Sequence, residues 1–283
     1  MTSTLDQRIQ QFYDASSGLW EQVWGEHMHH GYYGPDGSVS KDRRQAQVDL
    51  VEELLRWMEI DQADAILDVG CGIGGSSLYL AEKFQAQVMG ITLSPVQSQR
   101  AEERAQERGL ASGKPSAQFQ VANALDLPFP NQSFDLVWSL ESGEHMPDKL
   151  NFLQECYRVL RPGGTLLLVT WCHRPTELQP LTSRERKLLE DIYRVYCLPY
   201  ILSLPQYGTI AQSIGFQNIR TADWSDAVAP FWDTVMASAL NPAVLWGVLQ
   251  AGWTTIQAAL SLNLMRRGYR RGLIRFGLLT ATR

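Results

Sequence analysis

A glycine-rich segment is the first part of this sequence whose residue types can do chemistry. The apolar run Ala65–Val69 leads into Gly70-Cys71-Gly72-Ile73-Gly74-Gly75, and a helical pattern follows at 76–84. Glycine lets a backbone turn sharply and approach a ligand, and the following helix presents unpaired N–H groups to a carboxylate or phosphate. The pattern predicts a nucleotide-type binding loop at the end of a buried strand.

A second group of reactive side chains follows a later apolar run. Glu141, Glu144 and His145 come just after the strand predicted at 134–139. Parallel sheets bind ligands at the carboxyl ends of their strands, so we expect these residues near the glycine loop. An ordinary imidazole has a pKa of about 6.5, which makes His145 our first choice of general base, with Glu141 and Glu144 as its partners. A capping or surface role for Glu144 and His145 ahead of Pro147 is an equally open interpretation.

The residue at the end of the second predicted strand, Thr92, argues against a dinucleotide cofactor. Gly75 completes the glycine spacing of a dinucleotide-binding loop. Such folds also need Asp or Glu at the end of the second strand, where the carboxylate binds the ribose hydroxyls. This chain has Thr92, Leu93 and Ser94 there. The sequence therefore disfavours an NAD-dependent oxidoreductase.

Alternating strands and helices must position these residues. Strands are predicted at 65–69, 87–91, 118–121, 134–139 and 165–170, with helices from Pro95 and from about Asp148. The alternation indicates a parallel sheet covered by helices on both faces. The capping signals are most complete for the helix after Ser94. Ser94 is the predicted N-cap, Gln97 is at the capping-box position, and Gly109 is predicted to end the helix.

Three segments outside this alternation are predicted to be caps. They are 1–44, which would cover the cofactor site, and insertions at about 172–214 and 227–272 in a core that runs from 45 to 283. Thr182 and Glu185 have capping-box spacing, so we expect the middle segment to be largely helical.

The uncharged stretch 234–265 raises the question of a membrane. Its polar and apolar residues fall on different faces of a helix, so 242–265 is predicted to be an amphipathic helix rather than a membrane span. Four arginines follow at 266, 267, 270 and 271. Two interpretations remain open: the stretch docks on an anionic membrane, or it completes the wall of a substrate cavity.

Composition narrows the function classes. The chain has 283 residues, 45% hydrophobic, and a net charge of −5, so a sizeable core is expected and a nucleic-acid partner is not. Four cysteines without CxxC spacing suggest reduced thiols. No signal or transit peptide is recognised, so we expect a cytoplasmic protein. His27, His29 and His30 lack a cysteine or paired carboxylate at ligand spacing, and no metal is expected.

The chain resembles class I S-adenosylmethionine-dependent methyltransferases and, more specifically, the gamma-tocopherol methyltransferases of photosynthetic organisms. The class is indicated by the glycine loop followed by VANALDLPF at 121–129, SFDLV at 133–137 and RVLRPGG at 158–164. The narrower likeness extends from about Ile9 to the end and is carried by SSGLWE at 16–21, WGEHMHHGYY at 24–33, WSLESGEHMP at 138–147, TWCHRP at 170–175 and RFGLLT at 275–280. The resemblance implies an α/β fold: a Rossmann-like, doubly wound, seven-stranded and mostly parallel sheet with helical cap insertions.

The resemblance also implies a set of cofactor contacts. In chain order these residues are His29, Tyr32, Asp68, Gly70, Cys71, Gly72, Thr92, Leu93, Gln97, Asn123, Ala124, Ser139 and Leu140. The glycine loop would hold the methionine part of S-adenosylmethionine, and Thr92 with Leu93 would replace the usual acidic ribose contact. Asn123 and Ala124 would lie at the adenine edge. Ser139 and Leu140 would line the sulfonium, and His29 and Tyr32 would close the site.

Its implied reaction is methylation of a chromanol ring at carbon, from gamma- to alpha-tocopherol and from delta- to beta-tocopherol. The expected partner is a small lipid phenol, with peripheral contact at a photosynthetic membrane. An N-methyltransferase of amines or alkaloids is the alternative enzyme, and a cofactor-binding module without catalysis is the alternative from another class. Preference among gamma-, delta- and plastoquinol-type acceptors, and the oligomeric state, stay open.

Overall fold

A computed structural model describes residues 4–177, 179–239 and 253–283 of the chain. In these ranges the helices are Leu5–Trp24 (α1), Arg43–Met58 (α2), Gly75–Phe84 (α3), Pro95–Glu107 (α4), Lys149–Val159 (α5), Ser183–Val195 (α6), Leu204–Ile214 (α7), Ser225–Val228 (α8), Pro230–Ala239 (α9) and Trp253–Arg270 (α10). The strands are Ala65–Val69 (β1), Gln87–Thr92 (β2), Ser116–Val121 (β3), Phe134–Leu140 (β4), Leu160–His173 (β5), Gln217–Asp223 (β6) and Ile274–Thr282 (β7). A 3₁₀ turn, Gly143–His145, precedes α5.

One seven-stranded sheet joins these strands in the order β3-β2-β1-β4-β5-β7-β6. The pairs from β3 to β5 are parallel, whereas β7 runs antiparallel to β5 and β6. The predicted doubly wound, mostly parallel sheet is confirmed. Strand order reverses between β1 and β4, and the crevice outside the carboxyl ends of such strands is where open α/β sheets bind ligands.

Both faces of the sheet are buried. Ile66 and Leu67 are adjacent on β1 and fully buried, yet they belong to separate apolar clusters, because side chains alternate across a strand. One cluster includes Leu54 of α2, and the other includes Phe152 of α5. Burial on both faces explains why β1 is apolar at every position except Asp68, rather than alternating between apolar and polar residues.

The helices with predicted capping residues begin directly after the predicted N-caps, and one predicted capping box does not form. Ser94 accepts a hydrogen bond from the Gln97 N–H at 3.1 Å, and Gly109 follows α4 with φ of +70°. The Gln97 side chain does not complete the capping box, because it turns instead to Thr92. At α6, Thr182 and Glu185 form both reciprocal capping bonds, so that prediction is confirmed.

The cap segments are only partly separate from the sheet. α1 packs against α4 near the carboxyl edge of the sheet. α7, inside the predicted insertion at 172–214, packs on β6 and β7 and supplies Tyr207 and Ala211 to the core. The amphipathic segment predicted at 242–265 is described only from Trp253 onward, since 240–252 lie outside the described residues. Of the helices that are described, none is both long enough and apolar enough to cross a bilayer.

Candidate active site

The conformation of the loop between β1 and α3 requires glycine at several positions. Gly70, Gly72 and Gly74 have φ of +86°, +55° and +83°, which L side chains rarely adopt. A Cβ at Gly70 would lie 2.2 Å from the Cβ of Ser142. The N–H groups of Gly70 and Cys71 both donate to the Ile91 carbonyl oxygen at 2.9 Å. The end of β2 and Ser142 therefore fix the path of the loop.

A cavity of about 1050 Å³, partly open to solvent, lies at this carboxyl edge. Its walls come from the ends of β1 to β4, from α1 and from the segment between α1 and α2. Most of the predicted site residues line it: His29, Asp68, Gly70, Cys71, Gly72, Thr92, Leu93, Gln97, Asn123, Ala124, Leu140, Glu141 and His145. The fold thus brings together side chains from five separate stretches of sequence around one space.

Polar side chains at the ends of β1 and β2 are hydrogen-bonded to the helices that follow them, Asp68 to α3 and Thr92 to α4. Thr92 Oγ1 donates to Gln97 Oε1 at 2.8 Å and accepts from the Ser94 N–H at 3.2 Å. Asp68 accepts from Ser77 Oγ at 2.6 Å, and burial raises the pKa of Asp68 to about 7. The second strand therefore ends in a hydroxyl and an amide rather than a carboxylate, as the sequence indicated.

α1 supplies one wall of the cavity, and its residues were missed from the sequence. Asn123 Nδ2 donates to Asp6 Oδ2 at 3.2 Å, and Gln97 Nε2 donates to Ser17 Oγ at 3.1 Å. Asp6 and Tyr13 themselves line the cavity. Because α1 lies far from these partners in sequence, no local pattern points to the contacts.

His145 faces the cavity, but its expected pKa of about 6.5 is wrong. Burial and then the charge of Lys149 lower the pKa to about 3, against a smaller opposing effect of the Cys197 backbone. Nε2 lies 2.8 Å from the Tyr13 hydroxyl. Burial, followed by the carboxylates of Glu144 and Glu141, raises the pKa of Tyr13, so its hydroxyl keeps its proton. With the ring proton on Nδ1, Tyr13 donates to Nε2 of a neutral imidazole.

Glu141 has a different task from the predicted one. Its carboxylate accepts from the His30 N–H and Nδ1, both at 2.7 Å, and from Trp171 Nε1 at 3.1 Å. Burial raises the pKa of Glu141, but the His30 contacts outweigh it and hold the pKa below its usual value. Its φ of +55° is rare outside glycine. Glu141 thus ties the segment before α2 to the end of β4, and we do not assign it to proton transfer.

Glu144 points away from the cavity lining. Its Oε2 accepts from Thr170 Oγ1 at 2.9 Å, and the side chain is buried. Burial, followed by the charge of Glu141, raises the pKa of Glu144 to about 8. A carboxyl that is largely protonated at neutral pH and bonded to β5 does not orient His145, so the predicted partnership is not what the geometry shows.

Glu144→Gln should change how stability depends on pH. The folded-state pKa of about 8 lies above the ordinary 4.5, so the folded state binds the proton more tightly and the wild type loses stability as pH rises between these values. Glutamine does not titrate, so the melting temperature of the variant relative to wild type should rise by at least about 2 °C between about pH 5 and pH 8 and then level off. Thermal unfolding measures this, with exposed Glu102→Gln as the control. A difference that does not vary with pH would contradict a buried neutral acid.

Tyr32 and Ser139 were predicted to contact the cofactor but do not line the cavity. The centre of the Tyr32 ring lies 5.4 Å from that of Trp224, outside the cavity, so the structure does not place Tyr32 against the cofactor as predicted. Ser139 Oγ lies 2.8 Å from Ser142 Oγ, which donates to the Val69 carbonyl oxygen at 2.6 Å. Ser139 therefore acts on the cavity through Ser142, which does line it.

Two neutral histidines line the cavity beside the glycine loop. His29 Nε2 lies 3.1 Å from His27 Nδ1, and burial lowers the pKa of both rings. Within the described ranges, no three His, Cys, Asp or Glu residues form a group that could hold a metal ion. Next to the loop, the first turn of α3 also borders the cavity through Gly75 and Ser76. A backbone cradle, a helix N-terminus and neutral rings fit the carboxylate and sulfonium ends of S-adenosylmethionine.

Comparison with known proteins identifies the family. Residues 67–168 match the model of the methyltransferase domain. The chain is 46% identical to a tocopherol O-methyltransferase, named as chloroplastic, from Arabidopsis thaliana, over 99% of this chain and 82% of that protein. This chain belongs to the tocopherol methyltransferase family. It is an S-adenosylmethionine-dependent methyltransferase, and the predicted enzyme class and cofactor are confirmed.

Other similar proteins agree with the family assignment. A 2-methyl-6-phytyl-1,4-hydroquinone methyltransferase from Synechocystis sp. is 37% identical over 94% of this chain and 84% of its own length. Among solved structures, the [4+2]-cyclase SpnF has a TM-score of 0.82 at 26% identity, covering 100% of this chain and 97% of that one. The similarity to this structure thus spans the length of the chain.

Proposed function

We propose that this enzyme transfers a methyl group from S-adenosylmethionine to the chromanol ring of gamma-tocopherol, giving alpha-tocopherol, and of delta-tocopherol, giving beta-tocopherol. The observation that supports this best is the shared cavity, in which the Tyr13–His145 pair faces the same space as the glycine loop. The Arabidopsis thaliana relative is named for O-methylation. We favour the ring carbon, as the family resemblance implies, and product identification separates the two.

The protein aligns the acceptor with the methyl donor and provides one path for the phenol proton. When bound, S-adenosylmethionine supplies an electrophilic methyl on a sulfonium, and holding the acceptor in line with it can be worth about 7–11 kcal/mol. An aromatic carbon becomes nucleophilic when the neighbouring hydroxyl gives up its proton. The phenol proton passes to the Tyr13 oxygen, and the Tyr13 proton to His145 Nε2, while the methyl group is being transferred, because an imidazole with a pKa of about 3 does not hold a proton beforehand. The new carbon–carbon bond would replace the sulfonium–methyl bond and leave S-adenosylhomocysteine. The ring C–H hydrogen then leaves as a proton to solvent, which reaches the partly open cavity, and the imidazolium returns its proton through Tyr13 to the ring oxygen.

Apolar side chains suit the rest of a lipid phenol. Ile9, Met28, Leu140, Met146 and Pro147 line the cavity alongside the polar groups. A flat ring and an aliphatic tail are both stabilised by such walls. Peripheral contact with a photosynthetic membrane stays a prediction, because residues 242–252 of the proposed contact segment are not among those described.

An acceptor panel tests the proposed substrate class. We expect kcat/KM for gamma-tocopherol to exceed that for any amine or alkaloid by at least about 100-fold, since losing the phenol removes both the proton donor and the apolar fit. Assays with delta-tocopherol and 2-methyl-6-phytyl-1,4-hydroquinone give the order of kcat/KM among the phenols. Faster methylation of an amine than of every phenol would replace this proposal with the N-methyltransferase alternative.

A further inference from the structure

Lys149 is a buried charged side chain that the reaction path leaves unexplained. It is the first residue of α5 and only 1% exposed. An ammonium at a helix N-terminus faces the positive end of the helix dipole, and its burial costs further free energy. Two local rules are therefore broken at one residue. Such exceptions concentrate at functional sites.

The contacts of Lys149 converge on the turn that carries His145. Its Nζ donates to the carbonyl oxygens of Gly143 at 2.8 Å and Glu144 at 2.9 Å, and it lies 5.0 Å from the Tyr200 ring centre. The other side of the turn is fixed by β5, where a Cβ on Gly143 would lie 2.8 Å from Leu168 Cδ1. The 3₁₀ turn is thus held between β5 and the lysine.

Groups from several elements lie against His145. Tyr13 faces it from α1, Lys149 from α5, and the backbone of Cys197 from the segment after α6. Arg8 of α1 acts on the Cys197 thiol, and Glu144 adjoins His145 in the turn. The positive charge of Lys149 lowers the pKa of His145, while burial lowers the pKa of Lys149 itself to about 7.

We propose that Lys149 is a positioning residue for methyl transfer: it holds the 3₁₀ turn that aims His145 at Tyr13. Its positive charge, beside that turn, adds to the effect of burial in disfavouring protonation of the imidazole. The inference rests on the proposed role of His145 and adds the group that sets its direction and its proton occupancy. Hydrogen bonds from Nζ to two successive carbonyls leave the turn little freedom, so the imidazole is presented to the cavity in one orientation.

Two substitutions separate the hydrogen bonds from the charge. Lys149→Met fills similar space without donors or charge, and Lys149→Gln keeps N–H donors without the charge. We expect the methionine variant to lose at least about 10-fold in kcat with affinity for S-adenosylhomocysteine within about 3-fold, and the glutamine variant to recover most of the loss. In both, the pKa of His145 should rise, which moves the acid limb of the pH–rate profile to higher pH. Lys187→Met, at an exposed lysine of α6, is the control.

Measurements are steady-state kinetics with gamma-tocopherol, calorimetry with S-adenosylhomocysteine and an NMR titration of ¹³C-labelled His145. An unchanged kcat, or a loss that is equal at every pH with the His145 pKa unmoved, overturns the proposal. If the methionine variant fails to fold, the titration of the glutamine variant decides in the same way. Failure of the proposed function looks different, because the wild type and Lys187→Met would then also leave gamma-tocopherol unmethylated.

Discussion

Replacing Gly70 with alanine should abolish tight binding of the cofactor. The new Cβ would lie 2.2 Å from the Cβ of Ser142, and Ser142 cannot withdraw without losing its 2.6 Å hydrogen bond to the Val69 carbonyl oxygen. The φ of +86° adds a conformational cost. Because the loop itself must move, we expect affinity for S-adenosylhomocysteine to fall by at least about 100-fold, or about 2.7 kcal/mol.

Gly109→Ala is the matched control for this loss. Gly109 also has a positive φ, +70°, but a Cβ there would meet nothing within 4 Å. It lies at the end of α4, outside the cavity lining. Calorimetric titration of both variants isolates the clash from the cost of the backbone conformation. Affinity of Gly70→Ala within about 10-fold of the control would show that the loop does not hold the cofactor as we describe.

His145→Ala should lower kcat by about 10²–10⁴-fold while cofactor affinity stays nearly unchanged, because general bases contribute in this range. Tyr13→Phe removes the oxygen that lies 2.8 Å from Nε2, so we expect a smaller loss in the same parameter. If the two act as one proton path, the double variant should be no slower than His145→Ala. Single-turnover kinetics with gamma-tocopherol at saturating cofactor measures all three.

His173→Asn controls for the loss of a histidine elsewhere. His173 lies at the end of β5, bonded through Nδ1 to the Arg174 carbonyl oxygen at 2.7 Å, and does not line the cavity. Its substitution should leave turnover close to wild type. Turnover of His145→Ala within about threefold of wild type across the pH range would remove the proposed base.

Elements with strong local signals were predictable from the sequence. β1 begins and ends at the predicted residues, and α4 begins at Pro95 as predicted, because apolar runs, caps and glycines act within a few residues. β5 was predicted at 165–170 but extends over Leu160–His173, since it pairs with β7 from Thr165 to His173 and its first residue, Leu160, pairs with Phe134 of β4. Pairing with a strand distant in the sequence leaves no local trace.

The glycine loop was predictable for the same reason, whereas the proton path was not. The pKa of His145 is set by burial under α1 and by Lys149, and neither follows from the residues beside it. Glu141 was predicted as a partner of His145, yet its oxygens accept hydrogen bonds from His30 and Trp171. A sequence shows which side chains can titrate, but the tertiary contacts decide which of them are free to do so.

The central claim is that this cavity delivers a methyl group to the ring carbon of a lipid phenol. Turnover of gamma-tocopherol with ¹³C-methyl S-adenosylmethionine, followed by NMR of the product, tests it in one measurement. Label on a methyl bonded to the aromatic ring, in alpha-tocopherol, is the predicted result. Label in a methyl ether, or no labelled tocopherol at all, would contradict the account.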